Sequence, residues 1–239
     1  MHTLSTSSSV LPLQFVLLLM LVTVGCMRVT KESDLTVLSA SAWKGDNAAR
    51  RRLVELGDSG NATAQFKLGQ MFEFGVGVPE DAVAAVSWYR RAAEQGDREA
   101  QYSLGHMFDL GQGVTRDSAQ AIIWYKRAAD QGLAAAQLTL GLIYSDGDGV
   151  PKDPVWAASW YQKAADQGDG NAQANLGMMY WLGDGVTRDV IIACMWENLA
   201  AAQGVSKGKL AREAFELSMT SAQVEAGQKL SRDWKPNKK

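Results

Sequence analysis

Four stretches of the chain place apolar and small residues at i, i+4, i+7 and i+8. They are Ala64, Leu68, Met71, Phe72; Ala100, Leu104, Met107, Phe108; Ala136, Leu140, Ile143, Tyr144; and Ala172, Leu176, Met179, Tyr180. That spacing puts each set on one side of an α-helix. A second set follows at i, i+3, i+4 and i+7: Ala85, Trp88, Tyr89, Ala92, then Ala121, Trp124, Tyr125, Ala128, then Ala157, Trp160, Tyr161, Ala164. The pattern therefore predicts pairs of helices. Each first helix runs into Gly-x-Gly-Val (75–78, 111–114, 147–150, 183–186), and each second helix closes at Gly96, Gly132, Gly168 or Gly204. Glycine supplies the positive-φ positions at which a helix stops and the chain turns. Three residues after each valine stands Asp81, Asp117, Asp153 or Asp189, placed to cap the second helix, and Pro154 suits the first helical position behind Asp153.

The pairs are copies of one unit. Leu68-Gly69 returns as Leu104-Gly105, Leu140-Gly141 and Leu176-Gly177, a step of 36 residues (68 to 104), and Trp88, Trp124, Trp160 and Trp196 keep that step, as do Gln65, Gln101, Gln137 and Gln173. A fixed period in this range marks a stacked array in which each unit buries its apolar face on its neighbours. The glycine after each leucine costs about 1 kcal/mol against alanine inside a helix. Paying that cost in every copy implies close approach by the partner helix. Upstream, 48–59 reads as the second helix of a partial repeat, preceded by a helix around 35–44. Downstream the glycine punctuation ends, and 209–219 and 221–234 read as two further helices, the second opened by a Thr220/Gln223 capping box. A basic tail, 235–239, follows.

This pattern, A-Q-x-x-L-G … G-x-G-V-x-x-D … W-Y-x-x-A-A-x-Q-G, resembles the Sel-one-like repeat (SLR) family, relatives of the tetratricopeptide repeats. The resemblance covers 62–204 in four copies (62–97, 98–133, 134–169, 170–204), with a partial repeat at 35–61 and capping helices and tail at 205–239. The fourth copy departs from it, with Glu197 where the others carry tyrosine. The resemblance implies an all-α, right-handed α/α solenoid and an adaptor or scaffold role without catalysis or cofactor.

Composition narrows the function classes. The 24 basic and 26 acidic residues are well mixed and give a net charge of −2, so nucleic acid is not an expected partner. Two cysteines, Cys26 and Cys194, do not make a disulfide framework. Residues 10–24 are apolar apart from Gln14 and Thr23, too short to span a bilayer and suited to a secretory leader, although no Lys or Arg precedes them. The run ends Val22-Thr23-Val24-Gly25-Cys26, which resembles a bacterial lipobox with Cys26 as the acylated residue. A lipid-anchored, a cleaved and a retained form all fit this run. The first two put the working chain outside the cytoplasm, with 27–34 as a polar tether, and any membrane contact passing through a lipid on Cys26.

Catalytic sets are sparse. His106 occupies a slot held by Gln70, Leu142 and Met178 in the other copies, so the fold does not require it. Cys194 falls on an apolar face. Ser41/Lys44 and Ser206/Lys209 match S-x-x-K, but the partner motifs S-D-N and K-T-G are absent. A wall-acting enzyme using Ser41 and Lys44 is the rival reading, and a secreted host-directed effector a third. The glycines of 146–149 belong to the repeat, and no glutamate follows at the spacing of a calcium loop. What varies from copy to copy is a second stripe on each first helix: Thr63, Lys67, Gln70, Phe74; Glu99, Ser103, His106, Leu110; Ala135, Thr139, Leu142, Asp146; Asn171, Asn175, Met178, Leu182. In related solenoids first helices line the concave groove. Lys67, Gln70, Phe74, Ser103, His106, Leu110, Thr139, Leu142, Asn175, Met178 and Leu182, together with Trp181, are thus the candidate residues for binding a protein partner.

Overall fold

The computed structural model describes residues 32–237, so the expected leader and Cys26 lie outside the described residues. Twelve α-helices are present among them: α1 (Glu32–Trp43), α2 (Asn47–Asp58), α3 (Ala62–Phe74), α4 (Ala82–Glu94), α5 (Arg98–Leu110), α6 (Ser118–Asp130), α7 (Ala134–Asp146), α8 (Pro154–Asp166), α9 (Gly170–Leu182), α10 (Val190–Ala202), α11 (Ser206–Glu216) and α12 (Ser221–Asp233). Consecutive helices pack as hairpins, α3 on α4 through α9 on α10, and each second helix also packs on the next first helix. The chain is an all-α solenoid. α1 begins inside the stretch whose polarity suggested a tether.

The repeat residues explain the stacking. Leu68, Leu104, Leu140 and Leu176 are all buried, with the alanines four residues before them. The helix-interior glycines make room for the tyrosine of their own hairpin. A Cβ on Gly69 would lie 2.5 Å from the Tyr89 ring, and one on Gly105 would lie 2.8 Å from Tyr125. The close approach that the sequence implied is thus an aromatic ring seated on bare backbone. In the last three turns the second glycine of Gly-x-Gly-Val rests on the preceding second helix: Gly113 meets Ala82 and Val83, Gly149 meets Ser118, and Gly185 meets Pro154 and Val155, while Gly77 meets the end of α1 at Ala42.

A ladder of glutamines ties the hairpins together. Gln65, Gln101, Gln137 and Gln173 are buried, and each donates Nε2 to a carbonyl of the preceding helix: Gly57 at 2.8 Å, Ala93 at 3.1 Å, Ala129 at 3.0 Å and Ala165 at 3.2 Å. Each then accepts at Oε1 from the glutamine closing its own hairpin (Gln95, Gln131, Gln167, Gln203) at 2.6–2.8 Å. Both ends of every buried amide are therefore satisfied, which removes the desolvation cost of placing it there.

Asp81, Asp117, Asp153 and Asp189 cap the second helices as expected. The first helices carry caps that the sequence reading did not assign: Asn61, Asp97 and Asp169 each accept an amide at 2.8 Å. Leu133 fills that place in the third copy with no side-chain bond.

The C-terminal end departs from the repeat. α11 starts at Ser206, earlier than expected, and stacks on α10 as a shortened fifth first helix. α12, opened by the Thr220/Gln223 capping box, does not pair with α11 and packs on α10 instead. The Gly-x-Gly-Val turn that would aim it at α11 is missing. Its Gly227 lies against Cys194 and the Ile191 carbonyl, where the turn of a following repeat would have rested. Trp234 then meets Trp196 edge-on at 5.9 Å, and the Asn237 amide reaches the Asp166 carbonyl at 2.7 Å.

Glu197 takes the tyrosine's place under Gly177 and is fully buried, with neither carboxyl oxygen hydrogen-bonded. A Cβ on Gly177 would come within 2.8 Å of it, and one on Gly208 of α11 within 3.2 Å. Burial pushes its pKa from the ordinary 4.5 up to about 8, with Lys207 pulling the other way. Burial likewise raises the nearby Cys194 thiol, with Glu216 and Glu197 adding to the rise and Arg212 opposing it. Between pH 4.5 and about 8 the native state keeps a proton that the unfolded chain has released, so stability falls as pH rises through that window. Below 4.5 both states hold the proton and the penalty vanishes. Thermal melts across this range should show that slope, and Glu197→Gln should flatten it. An unchanged slope in the variant would assign it to other groups.

Candidate functional site

The variable stripe of the first helices forms an open face, and its apolar members Phe74 (64%), Leu110 (52%) and Leu182 (64%), which close their helices, and Leu142 (43%) are exposed. Such exposure of large apolar groups, three of them in one repeat slot, is a surface without a covering element. Lys67, Gln70, Ser103 and Thr139 are half-buried beside them, and His106 is exposed. The Lys67 ammonium lies 5.2 Å from the Phe66 ring centroid and 5.6 Å from that of Trp43, and it donates to Gln70 Oε1 at 3.2 Å.

The fourth-repeat members are placed differently. Met178 and Trp181 pack into a cluster with Ala211 and Phe215 of α11, and the Trp181 and Phe215 rings stack at 3.9 Å with planes 4° apart. Lys207 of α11 donates to Asn175 Oδ1 at 2.6 Å. Asn175, Met178 and Trp181 therefore meet the terminal cap instead of facing open space, which corrects their assignment as groove residues. α11 stacks there because it continues the row of first helices. Leu182, at the helix end, stays exposed.

Between α3 and α5 the face deepens into a cavity of about 320 Å³, lined by Gln70, Glu73, Phe74, Tyr89, Tyr102, Ser103 and His106. The Tyr89 hydroxyl donates to Glu73 Oε2. Burial and Glu73 together raise the Tyr89 pKa, so the phenol keeps its proton and stays a donor. Glu73, Tyr89 and Tyr102 were not among the residues picked from sequence. Tyr89 belongs to the repeating core set, and nothing in its spacing reveals that its hydroxyl emerges into the groove. Glu73 could have been found, since its slot varies as Asp109, Ser145 and Trp181.

Ser41 lines a separate open cavity with Val37, Leu38, Asp46 and Arg52, and Lys44 is not in its wall. The Ser41 carbonyl accepts the Lys44 and Asp46 amides, so the motif builds the turn after α1. Cys194 is a free, buried thiol. Among the described residues no group of three His, Cys, Asp or Glu side chains could hold a metal ion, and no helix is long and apolar enough to cross a membrane.

A family model described as the Sel1 repeat matches residues 62–97, 98–133, 134–169 and 170–205. Among solved structures, the chain is similar to a Sel1 repeat protein from Oxalobacter formigenes, with 30% identity over 82% of each chain and a TM-score of 0.70. It is also similar to c5321, a protective antigen of uropathogenic Escherichia coli strains with an SLR fold. There the identity is 30% and the TM-score 0.53, with 86% of this chain and 53% of that one covered. No curated protein matches the chain.

Proposed function

The chain belongs to the Sel1 repeat family, whose members generally mediate protein–protein interaction, and from that premise we propose that it is a non-enzymatic adaptor of the bacterial envelope. In this reading a protein partner docks along the first-helix groove. The observation that carries it is the row of exposed apolar side chains, Phe74, Leu110 and Leu142, on a scaffold whose own hydrogen bonds and packing do not need them there. Anchors of this kind suit an extended or helical peptide. The family is typically a non-catalytic scaffold family, and the S-D-N and K-T-G partners that Ser41 and Lys44 would need are not in the sequence. The envelope placement rests on the apolar run 10–24 and on Cys26 as the acylated residue.

In-cell crosslinking of the full chain, with fractionation, tests this reading. One dominant envelope partner should be captured, lost in Phe74→Asp/Leu110→Asp and kept in Val83→Asp/Val155→Asp, which alters exposed apolar residues on second helices. Loss in the second variant alone moves the interface to the other face. A captured chain confined to the cytoplasm would sink the envelope assignment.

A further inference from the structure

We propose that the cavity between α3 and α5 receives one cationic side chain, arginine or lysine, of the peptide docked in the groove. The inference rests on the groove reading and adds the chemistry of one contact. The wall combines a carboxylate, Glu73, with the rings of Phe74, Tyr89 and Tyr102, while Ser103 and His106 supply polar atoms at the rim. A cation gains from a ring face within about 6 Å and gains more where water is partly excluded. Glu73 fits as its counter-charge. One of its oxygens takes the Tyr89 hydroxyl, and no Glu73 ion pair is present among the described residues. A hydroxyl donor locks the carboxylate in place and leaves its other oxygen to accept a charged donor. Lys67, the nearest cation on the same helix, is not in the wall and lies beside the Trp43 and Phe66 rings.

The set is confined to this gap. One repeat on, the Glu73 slot is Asp109, while the Tyr102 slot becomes Leu138 and the His106 slot Leu142. That gap keeps an acid and Tyr125 in the Tyr89 slot, but the Phe74 and Tyr102 rings give way to Leu110 and Leu138, so its open side is aliphatic. Neighbouring helices stack about 8–10 Å apart, and an extended chain rises about 3.3 Å per residue. The bound peptide thus places an apolar side chain about three residues from the cation, over Leu110 and Leu142.

A random 12-residue peptide library displayed on phage, selected on the full chain, tests the site. Selected peptides are then synthesised and measured against wild type, Glu73→Gln, Tyr102→Leu and Leu142→Asp. Expected are peptides sharing Arg or Lys about three positions from an apolar residue. Their affinity should fall about tenfold or more in Glu73→Gln, as for loss of a charged hydrogen-bond partner. Changing the peptide's arginine to citrulline should cost as much in wild type and little in Glu73→Gln. Tyr102→Leu takes the residue found one repeat on and should also weaken binding. Peptides that lose affinity in Leu142→Asp but not in Glu73→Gln or Tyr102→Leu would overturn the cation site and leave the groove standing. A selection whose peptides ignore all three substitutions, or that enriches none, would count against the groove and the cation site together.

Discussion

Gly113→Ala is expected to cost about 2–5 kcal/mol and to split unfolding of the array into two steps. Two penalties add at this residue. Its φ is +65°, in the left-handed region, a conformation that costs an L-residue about 1–2 kcal/mol. A Cβ there would also lie 2.8 Å from the Val83 amide nitrogen and closer still to the Ala82 carbonyl. Those are backbone atoms in the first turn of α4, held by the Asp81 cap, so they cannot swing aside as a side-chain tip would. Overpacking of that kind typically costs about 1–3 kcal/mol. Gly132→Ala is the control, because its φ is +85° but nothing lies within 4 Å of the added methyl. It should lose only the conformational part, about 1–2 kcal/mol. The damaged contact joins the first full hairpin to the second. Array stability is approximately a sum of hairpin and interface terms, and cooperativity fails first where an interface is weak. Urea unfolding followed by helical signal and by tryptophan fluorescence should coincide in wild type and separate in Gly113→Ala. Equal losses in the two glycine variants would show that the turn does not hold neighbouring hairpins together.

What could be read from the chain alone follows from how local each device is. Aspartates 81, 117, 153 and 189 cap helices that begin beside them, and paired glycines such as Gly75 and Gly77 take positive φ within their own turn. Period and pattern suffice for such features. The C-terminal end was harder, because the course of α12 depends on which face of α10 the end of the array leaves uncovered. The groove assignment failed at Asn175, Met178 and Trp181 for a related reason. Variation within a repeat means freedom only where the neighbour is another repeat, and α11 is a degenerate one that uses those residues for its own packing. The cavity at Glu73 was missed because Tyr89 serves the core with its ring and the groove with its hydroxyl. Glu197 stood out in sequence as a departure, but its burial without a hydrogen-bond partner is set by Gly177 and Gly208 from two other helices.

Leu140→Ala should cost about 2–5 kcal/mol, the range of buried leucine truncations, against about 0.5 kcal/mol or less for His106→Ala at an exposed position. Leu140 is 1% exposed and sits in the central cluster with Tyr125, Ala136 and Trp160. Its loss leaves a cavity that the surrounding rings cannot readily fill. Gly141, next to it, holds the Tyr161 ring against bare backbone, and the Gln137 ladder fixes the helix from the other side. The position in the array adds to the effect. The third hairpin shares one interface with the second and one with the fourth, so weakening it strains both neighbours. If the halves then unfold separately, the denaturant slope should fall along with the midpoint, since less surface is exposed in each step. His106→Ala should leave both unchanged, because that side chain stands on the groove face and supports no stacking contact. Comparable losses for the two variants would mean that the leucine stripe does not form the core and the variable stripe does not form the surface, and the groove assignment would fall with them.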